Sequence, residues 1–299
     1  MTAQRQHARP RPILSASPHA QTRRLPRDWK MRAAALVVIC AGATVILAPF
    51  IWLITTSLKT DQDIASSHIL IPNPPQFHNY VDAWTSAPFT QYFANTMIIE
   101  GGVITGTVLS CSLAAYGLAR LRFPGRNIIF GLLLVPLMLP GIVTTIPLYI
   151  EFNAVGWLNT FLPLIVPSFF GNAFFIFLLR QFMLTLPREL EDAGVIDGAG
   201  WLRIWWSLIL PLTRPALAAV VVLQFVATWN DFFNPLIYLN SPDKQTLSLA
   251  LAGFVGQHSI AWGQLMAMSV MLMAPPALLF FLTQRYFISG IVTSGLAGR

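Results

Sequence analysis

Five long stretches of this chain contain no Lys, Arg, Asp or Glu, and they limit the possible folds more than any other feature. The stretches cover residues 33–58, 101–119, 127–150, 152–179 and 245–284. A sixth apolar stretch, about 215–239, holds a single acid. A helix needs about 20 residues to cross the hydrocarbon core of a bilayer. Core helices of soluble proteins are rarely this long or this numerous, so the sequence predicts an integral membrane protein with about six spans.

The composition indicates helices rather than a barrel. Only 10% of the residues are charged, whereas a soluble domain carries about 25%. Lipid accepts only helices or closed barrels as spanning structures. The apolar runs are continuous rather than alternating, which excludes a barrel, and the prolines in them are tolerated where neighbouring helices satisfy the freed carbonyls. The expected fold is an all-α polytopic bundle.

The positions of the basic residues predict the orientation of the spans. All of the 19 Lys and Arg residues except Lys59 and Lys244 fall on one side of a six-span arrangement. Loops rich in Lys and Arg stay in the cytoplasm, so both termini are expected there. This topology also accounts for the net charge of +7, and no nucleic acid partner is needed to explain it.

The chain is predicted to have a cytoplasmic tail, a transmembrane domain and a long loop on the outer side. Residues 1–32 are rich in Pro, Arg, Gln and Ser and are predicted to be a disordered basic cytoplasmic tail. Residues 33–299 are predicted to form the transmembrane domain, with a long outer loop at about 60–92. The first apolar run is too long for a signal peptide, which has an apolar core of about 7–15 residues. Cys40 and Cys111 are expected to be small apolar core residues.

The chain carries no motif of known catalytic or nucleotide-binding chemistry. It lacks a phosphate-binding loop, a zinc-protease motif, a nucleophile elbow and a dinucleotide fingerprint, so no catalytic residue, metal or cofactor is expected in it. Carboxylates at mid-membrane depth would indicate ion-coupled transport. Only Glu100 and Asp231 come close, and both are expected near the outer ends of their spans. Interfacial hydrogen bonding is favoured for them over a role in the substrate path.

The cytoplasmic loop at about 186–211 has the sequence features of two short helices joined at a glycine. Pro187 suits a first helical turn, and the acids that follow complement the positive end of the helix dipole. Asp197-Gly198 is a turn signal that ends this helix. A second helix, about 201–208, is predicted to stop near Pro211. Such an elbow at the membrane surface is suited to docking a partner.

This loop resembles the EAA motif of permease subunits in binding-protein-dependent ABC importers. Asp192, Ala193 and Gly194 stand at the Glu-Ala-Ala positions, Gly198 follows at the spacing of the motif, and Leu210-Pro211 completes it. The chain departs from the motif in having Asp for Glu and Gly for the second Ala, so Glu191 is a second candidate for the acidic role. The resemblance assigns coupling to an ATPase to Glu191, Asp192, Ala193, Gly194, Asp197, Gly198, Leu210 and Pro211.

Three further segments, residues 112–126, 228–232 and 284–287, are similar to the small permease subunit of maltose-type systems. The resemblance implies a type I importer bundle in the bacterial inner membrane that passes a sugar or related polar solute. It implies a heterodimer with a second permease, two copies of a cytoplasmic P-loop ATPase that bind ATP and Mg, and an extracytoplasmic solute-binding protein. Asn230 and Asp231 become candidates for the substrate path. The alternative is a self-sufficient secondary transporter of a small polar solute.

Overall fold

A computed structural model describes residues 29–66, 72, 74–254 and 261–296, and every regular element in these ranges is helical. Most of the predicted disordered tail lies outside the described residues. The chain divides into two compact units, residues 1–49 and 50–299. The helices, named in chain order, are α1 (Trp29–Ser57), α2 (Asp61–Ser66), α3 (His78–Thr85), α4 (Phe89–Arg120), α5 (Arg126–Leu134), α6 (Ile142–Ala154), α7 (Leu162–Ile165), α8 (Ala173–Leu184), α9 (Glu189–Ile196), α10 (Trp201–Ile204), α11 (Leu210–Leu212), α12 (Arg214–Trp229), α13 (Phe233–Tyr238), α14 (Leu247–Phe254) and α15 (Trp262–Leu296).

Short segments of other helical types connect some of these helices. Three 3₁₀ turns cover Val135–Met138, Val166–Phe170 and Pro242–Lys244, and a π-helical turn covers Trp205–Ile209. Among the residues that the structure describes, four helical stretches are long and apolar enough to cross a membrane: Met31–Ser57, Phe89–Arg120, Leu162–Leu184 and Trp262–Gln284. Two sharply bent helix pairs bring the number to six if each pair is one span. The predicted all-α membrane bundle is confirmed, and a total of six spans counts each bent pair as one broken span.

The third predicted span is interrupted where proline and glycine cluster. Arg126–Met138 and Ile142–Ala154 meet at an angle of 101°. Leu139, between them, has φ −94° and ψ 130°, which is the extended conformation that a following proline imposes. The next charge-free run is also divided, because Gly156 has φ +71° and a loop separates α6 from α7. A charge-free run therefore marks membrane depth here, but it does not mark a continuous helix.

Helix α1 begins in the first unit and ends in the second. From Met31 to Trp52 its side chains are exposed, as expected of an apolar helix whose surroundings are lipid or another chain. Cys40 is one of these exposed residues, so the expectation that it is a core residue is wrong. Cys111 on α4 is fully buried, and the prediction for that residue is confirmed.

Helix α4 lies at the centre of the second unit and contributes to both of its apolar cores. The inner core joins the second half of α4 to α8, α12 and the segment 204–209. The outer core joins the first half of α4 to α3, α14 and α15. Tyr116, Leu179 and Met183 are among the large fully buried side chains of the inner core, and Phe89 and Met268 are among those of the outer core. One long helix thus links the two ends of the bundle.

Small residues on α4 allow close approach of the segment before α8. Gly102, Gly106 and Ser110 follow each other at intervals of four, so they lie on one face of the helix. A Cβ atom at Gly106 would lie 2.7 Å from Cδ2 of Phe169, and one at Gly102 would lie 2.7 Å from Cγ2 of Ile165. Ser110 Oγ donates to the carbonyl of Ser168 at 2.8 Å. This stripe is a contact of the small-xxx-small type found between membrane helices.

The loops at the end of the bundle opposite Arg120 are held together by Asn159. This residue has φ +57°, a left-handed conformation that Asn adopts more readily than most residues. Its Oδ1 accepts from the amides of Asn240 and Ser241, and Nζ of Lys244 donates to its carbonyl at 2.6 Å. Asn95 on α4 donates to the carbonyls of Asp243 and Gln245, which fixes the same loop to the bundle.

Candidate functional site

A cavity of about 440 Å³ lies between α4, the α7–α8 segment and the end of α12. Helix α4 presents Thr96, Ile99, Val103 and Thr107 to it, at the i, i+3, i+4 spacing of one helical face. The opposite walls come from Pro163–Asn172 and from residues 224–238. The broken helical structure of these walls is tolerated at membrane depth only where it lines a cavity or is buried in protein. The irregular backbone of these segments therefore lies at the cavity.

The polar side chains in this cavity are held in place by neighbours one turn away. Gln224 Nε2 donates to Thr228 Oγ1 at 2.8 Å, and both residues line the cavity. The carboxylate of Asp231 accepts from the backbone amide of Asn234 at 3.1 Å and from its Nδ2 at 2.8 Å. Ordered donors and acceptors among apolar walls are the arrangement typical of small-molecule sites, whose volumes run from about 300 to 1,000 Å³.

The two residues predicted for the substrate path have different positions. Asp231 lines the cavity. Asn230 is exposed, and its Nδ2 donates to the carbonyl of Val226 on its own helix, so its polar group is used locally. The sequence offered the two residues as equivalent, and the structure separates them because α12 ends just before them, at Trp229, and the chain turns.

Glu100 lies on α4, eleven residues after the start of the helix at Phe89, so the helix extends into the predicted outer loop. The interfacial depth of Glu100 stays a prediction. Glu100 is 2% exposed, and within the described part of the chain neither carboxylate oxygen has a hydrogen-bond partner. Ionisable groups inside a membrane domain are rare and are often functional.

The cytoplasmic loop forms the predicted elbow, and backbone hydrogen bonds define its corner. Helix α9 ends at Ile196, and Gly198 follows with φ +76°. The amide of Gly198 donates to the carbonyl of Val195, and the amide of Ala199 donates to that of Gly194. This pair of bonds is a Schellman motif, in which glycine takes the left-handed position at little steric cost.

The second arm of the elbow is longer than predicted and continues to Leu212. Its middle is the π-helical turn Trp205–Ile209, immediately before Pro211. A proline removes one helical hydrogen bond and crowds the carbonyl four residues earlier, and a wider turn relieves that crowding. At Thr213 the chain bends by 79° into α12. Thr213 is fully buried, and its Oγ1 donates to the carbonyl of Ile209 at 2.6 Å.

The two arms of the elbow have different surroundings. On the second arm, Ile204, Trp205 and Ile209 are buried in the inner core, beside residues of α4, α8 and α12. On the first arm, Val195 and Ile196 are exposed, and Ile196 is 85% exposed. The arms touch where Gly194 faces Ile204, since a Cβ at Gly194 would lie 3.3 Å from Cγ1 of Ile204. Gly in place of the motif's second Ala therefore permits a closer contact.

The two acids offered for the motif's Glu are also separated. Glu191 faces the bundle, where its Oε1 lies 3.0 Å from Nε of Arg120. Asp192 is exposed, as are Ala193 and Asp197, whereas Leu210 and Pro211 are half-buried in the second arm. Burial is the main influence on Glu191 and raises the pKa of its carboxyl, while the charges of Arg120 and Arg188 act in the opposite direction.

Residues 106–293 match the family of binding-protein-dependent transport system inner membrane components. This region holds most of the cavity walls, both arms of the elbow and the spans that surround them. The chain belongs to this family. The resemblance drawn from the loop motif is confirmed, and the chain is a multi-pass permease component of the bacterial inner membrane.

Full-length relatives agree with this assignment. The chain is 32% identical to the diacetylchitobiose uptake system permease protein NgcG of Streptomyces coelicolor, over 90% of this chain and 89% of that protein. It is 35% identical to the melibiose/raffinose/stachyose import permease protein MelC of Bacillus subtilis, over 92% of this chain and 100% of that protein. A crystal structure of a bacterial ABC transporter involved in alginate import aligns with TM-score 0.76 over 86% of this chain and 96% of that chain. Its 22% identity makes this a likeness of fold.

Sequence reasoning missed several elements of this permease. Most cavity residues lie on helices whose relative placement depends on the bends, so no local pattern pointed to them. Arg120 was counted only as a topology signal, and its contact with Glu191 joins residues that are distant in the chain. The Gly102-Gly106 spacing was a visible signal of close helix packing.

Proposed function

We propose that this permease passes a sugar or a related polyhydroxylated solute through the cavity between α4, the α7–α8 segment and α12. We propose further that the elbow couples this movement to ATP hydrolysis by a separate cytoplasmic ATPase, which binds the ATP and Mg. The chain would form half of the pathway, beside a second permease, and would receive solute from an extracytoplasmic binding protein. The elbow carries this proposal, because one of its arms is exposed and the other is part of the bundle core.

The cavity supports a polar solute of modest size. Its polar groups include Thr96, Gln224 and Asp231, and hydrogen bonds fix the last two. Phe152 and Tyr238, which also line it, stand edge to face with ring centroids 5.4 Å apart. Hydroxyl groups could bond to the polar positions while the C–H faces of a sugar ring pack on the aromatic walls. The two relatives are named for oligosaccharide import, which is consistent with such a ligand.

The elbow supports coupling because it can act as a lever. A partner that moves α9 would transmit force through Gly194 and Ile204 to a packed core, and packed cores resist gradual deformation. Reversing a 1:99 equilibrium between two states of the bundle takes about 5.5 kcal/mol. The sequence has no phosphate-binding loop, and we propose that a partner supplies this energy.

The test of coupling is co-purification of the assembled transporter carrying Ile196→Glu. Ile196 is exposed in the permease, so a Glu at this position would be buried only when a partner docks. Its charge would therefore oppose docking without affecting the fold of the permease. The matched control is Val155→Glu, because Val155 is 60% exposed at the opposite end of the bundle. We expect the ATPase to be lost with Ile196→Glu and kept with Val155→Glu. Retention in both, with normal ATP-driven uptake, would refute coupling through α9.

The test of the solute class is competition against labelled uptake in cells that express the whole system. Mono-, di- and trisaccharides, glycerol phosphate and an amino acid mixture would be compared. Competition by a saccharide alone supports the proposal. Competition by amino acids alone would overturn the assignment of solute. Uptake by the purified permease alone, driven by an ion gradient, would favour the alternative of a secondary transporter.

A further inference from the structure

A second, open cavity of about 530 Å³ lies where α4, α5 and the elbow meet. Three of its lining residues are charged, and all three are arginines: Arg122, Arg126 and Arg188. We call this cavity the arginine pocket. Arg122 belongs to the loop between α4 and α5, Arg126 is the first residue of α5, and Arg188 directly precedes α9. Residues from two distant segments of the chain therefore gather positive charge around one space.

The first turn of α5 adds further hydrogen-bond donors to the arginine pocket. Residues 125–128, which start this helix, line the pocket. The N-cap is Gly125, with φ +79°, and it has no side chain to accept from the helix amides. The first amides of a helix have no partner within the helix, and the helix dipole favours negative charge at this end. Three guanidinium groups and a free helix start thus favour the same kind of ligand, an anion.

The arginines are only partly occupied by protein groups. Arg126 Nη1 donates to the carbonyl of Leu121 at 3.2 Å, which uses one of its five N–H donors and holds the side chain at the pocket. Glu191, the half-buried acid nearby, lies against Arg120 on the bundle side, and the charge of Arg188 also acts on it. Repulsion between gathered arginines is costly, and a bound anion would relieve it.

The surface beside the pocket is apolar. Ile128 is 70% exposed and Leu132 is 65% exposed, and their spacing of four places both on one face of α5. By the distribution of Lys and Arg, the pocket lies at the cytoplasmic surface, where an apolar strip leads from it into the membrane. A ligand that fits both features has an anionic head and an apolar tail.

We propose that the arginine pocket binds the head group of an anionic glycerophospholipid, whose acyl chains lie along Ile128 and Leu132. The phosphate would accept from the arginines and from the start of α5. Basic pockets between membrane helices on the cytoplasmic side have the charge and depth for such head groups. The bound lipid would connect the α4–α5 loop to the base of the elbow through Arg188. This site is separate from the proposed solute cavity and does not depend on its function.

The experiment is native mass spectrometry of the purified transporter, exchanged from neutral detergent into mixtures with phosphatidylglycerol or phosphatidylcholine of the same acyl chains. The pocket variant is Arg122→Gln together with Arg188→Gln, both exposed residues whose loss leaves the core intact. The control variant is Arg203→Gln together with Arg214→Gln, two exposed cytoplasmic arginines outside the pocket. Each arginine near an anionic lipid contributes about 1 kcal/mol, so the pocket variant should bind phosphatidylglycerol on the order of thirty-fold more weakly.

We expect retention of phosphatidylglycerol but not of phosphatidylcholine, with loss in the pocket variant and retention in the control variant. Equal retention of both lipids, or undiminished retention in the pocket variant, would overturn the proposal. Inorganic phosphate and ATP are added in parallel to distinguish a soluble anion from a lipid. If either displaces phosphatidylglycerol at equal concentration, the pocket is a site for a soluble phosphate and the lipid assignment is wrong.

Discussion

Arg120 at the end of α4 lies 3.0 Å from Glu191 in the first arm of the elbow, measured from Nε to Oε1. The side chains are 2% and 16% exposed. The two atoms are close but not aligned as a hydrogen bond, while Nη2 of Arg120 donates to the carbonyl of Leu186 at 2.7 Å. Because burial raises the pKa of Glu191 despite the nearby arginines, desolvation outweighs attraction. We interpret the pair as a device that orients α9 rather than one that stabilises the fold.

The two halves of this pair should have unequal effects on stability when they are removed. Glu191→Met leaves Arg120 buried without a counter-charge and should cost about 3–5 kcal/mol of unfolding free energy. Arg120→Met should cost less, because Glu191 can take up a proton. The double variant should lose less than the two single losses added together. Unfolding in detergent, followed by tryptophan fluorescence, measures all three, with exposed Arg203→Met as the control. Additive losses would contradict the coupling.

The raised pKa of Glu191 predicts how stability varies with pH. The folded state holds this proton more tightly than the unfolded state, so the unfolding free energy falls as pH rises from the ordinary value of 4.5 through the raised value. Glu191→Gln removes this titration. The melting temperature of the native chain minus that of Glu191→Gln should therefore decrease as pH rises from about 4.5 to 7. A difference that increases over this range would mean that attraction to Arg120 dominates.

The sequence predictions were accurate where interactions between residues close in the chain decide the structure. The elbow was placed correctly because a proline, three acids and Asp197-Gly198 are all local signals. The predicted count of about six spans agrees with the structure if each bent helix pair is one span, because hydropathy reflects depth in the membrane. The continuity of these spans was not predicted correctly, because the break near Leu139 depends on prolines that would be tolerated as mild kinks in another setting.

Positions that depend on contacts between distant segments were beyond the sequence. The start of α4 at Phe89 was not predicted, because no charge near it marks the beginning of the helix. The separation of Asp231 from Asn230 arises from a turn at the end of α12. Arg120 and Glu191 are brought together only by the packing of α4 against the elbow. In each case the deciding contact joins residues that share no periodic pattern.

The left-handed corner of the elbow can be tested with a neighbouring glycine as control. Gly198 has φ +76° and Gly200 has φ −69°, and a Cβ at either position would meet nothing within 4 Å. A comparison of two single variants, with valine at one position or at the other, therefore isolates backbone strain. This strain is of order 1–3 kcal/mol for a β-branched residue at positive φ. We expect Gly198→Val to abolish solute-stimulated ATP hydrolysis by the assembled transporter and Gly200→Val to retain most of it. Equal activity would show that the corner does not need a left-handed residue.

The small-residue stripe on α4 predicts an effect on stability rather than on coupling. Gly106→Ala would place a Cβ 2.7 Å from the ring of Phe169, so the ring and Ser168 must move. Overpacking of this kind costs typically about 1–3 kcal/mol. Gly101→Ala is the control, because nothing lies within 4 Å of its Cβ position on the same helix. A lower melting temperature is expected for Gly106→Ala alone, and equal values would mean that the segment 166–170 yields freely.

The cavity predicts that Asp231 and Asn230 differ in transport although they are adjacent. Asp231→Asn removes the negative charge at the cavity wall but keeps an oxygen that can accept from the amide of Asn234, so the start of α13 should hold. A hydrogen bond to a charged group is worth about 1.5–3 kcal/mol, which corresponds to a rise in the KM for uptake of about ten- to a hundredfold. Asn230→Ala removes only a bond to Val226 within its own helix and should leave KM within about twofold. Initial uptake rates over a range of solute concentrations measure both. A rise in KM for Asn230→Ala with none for Asp231→Asn would exclude this cavity wall from the solute path.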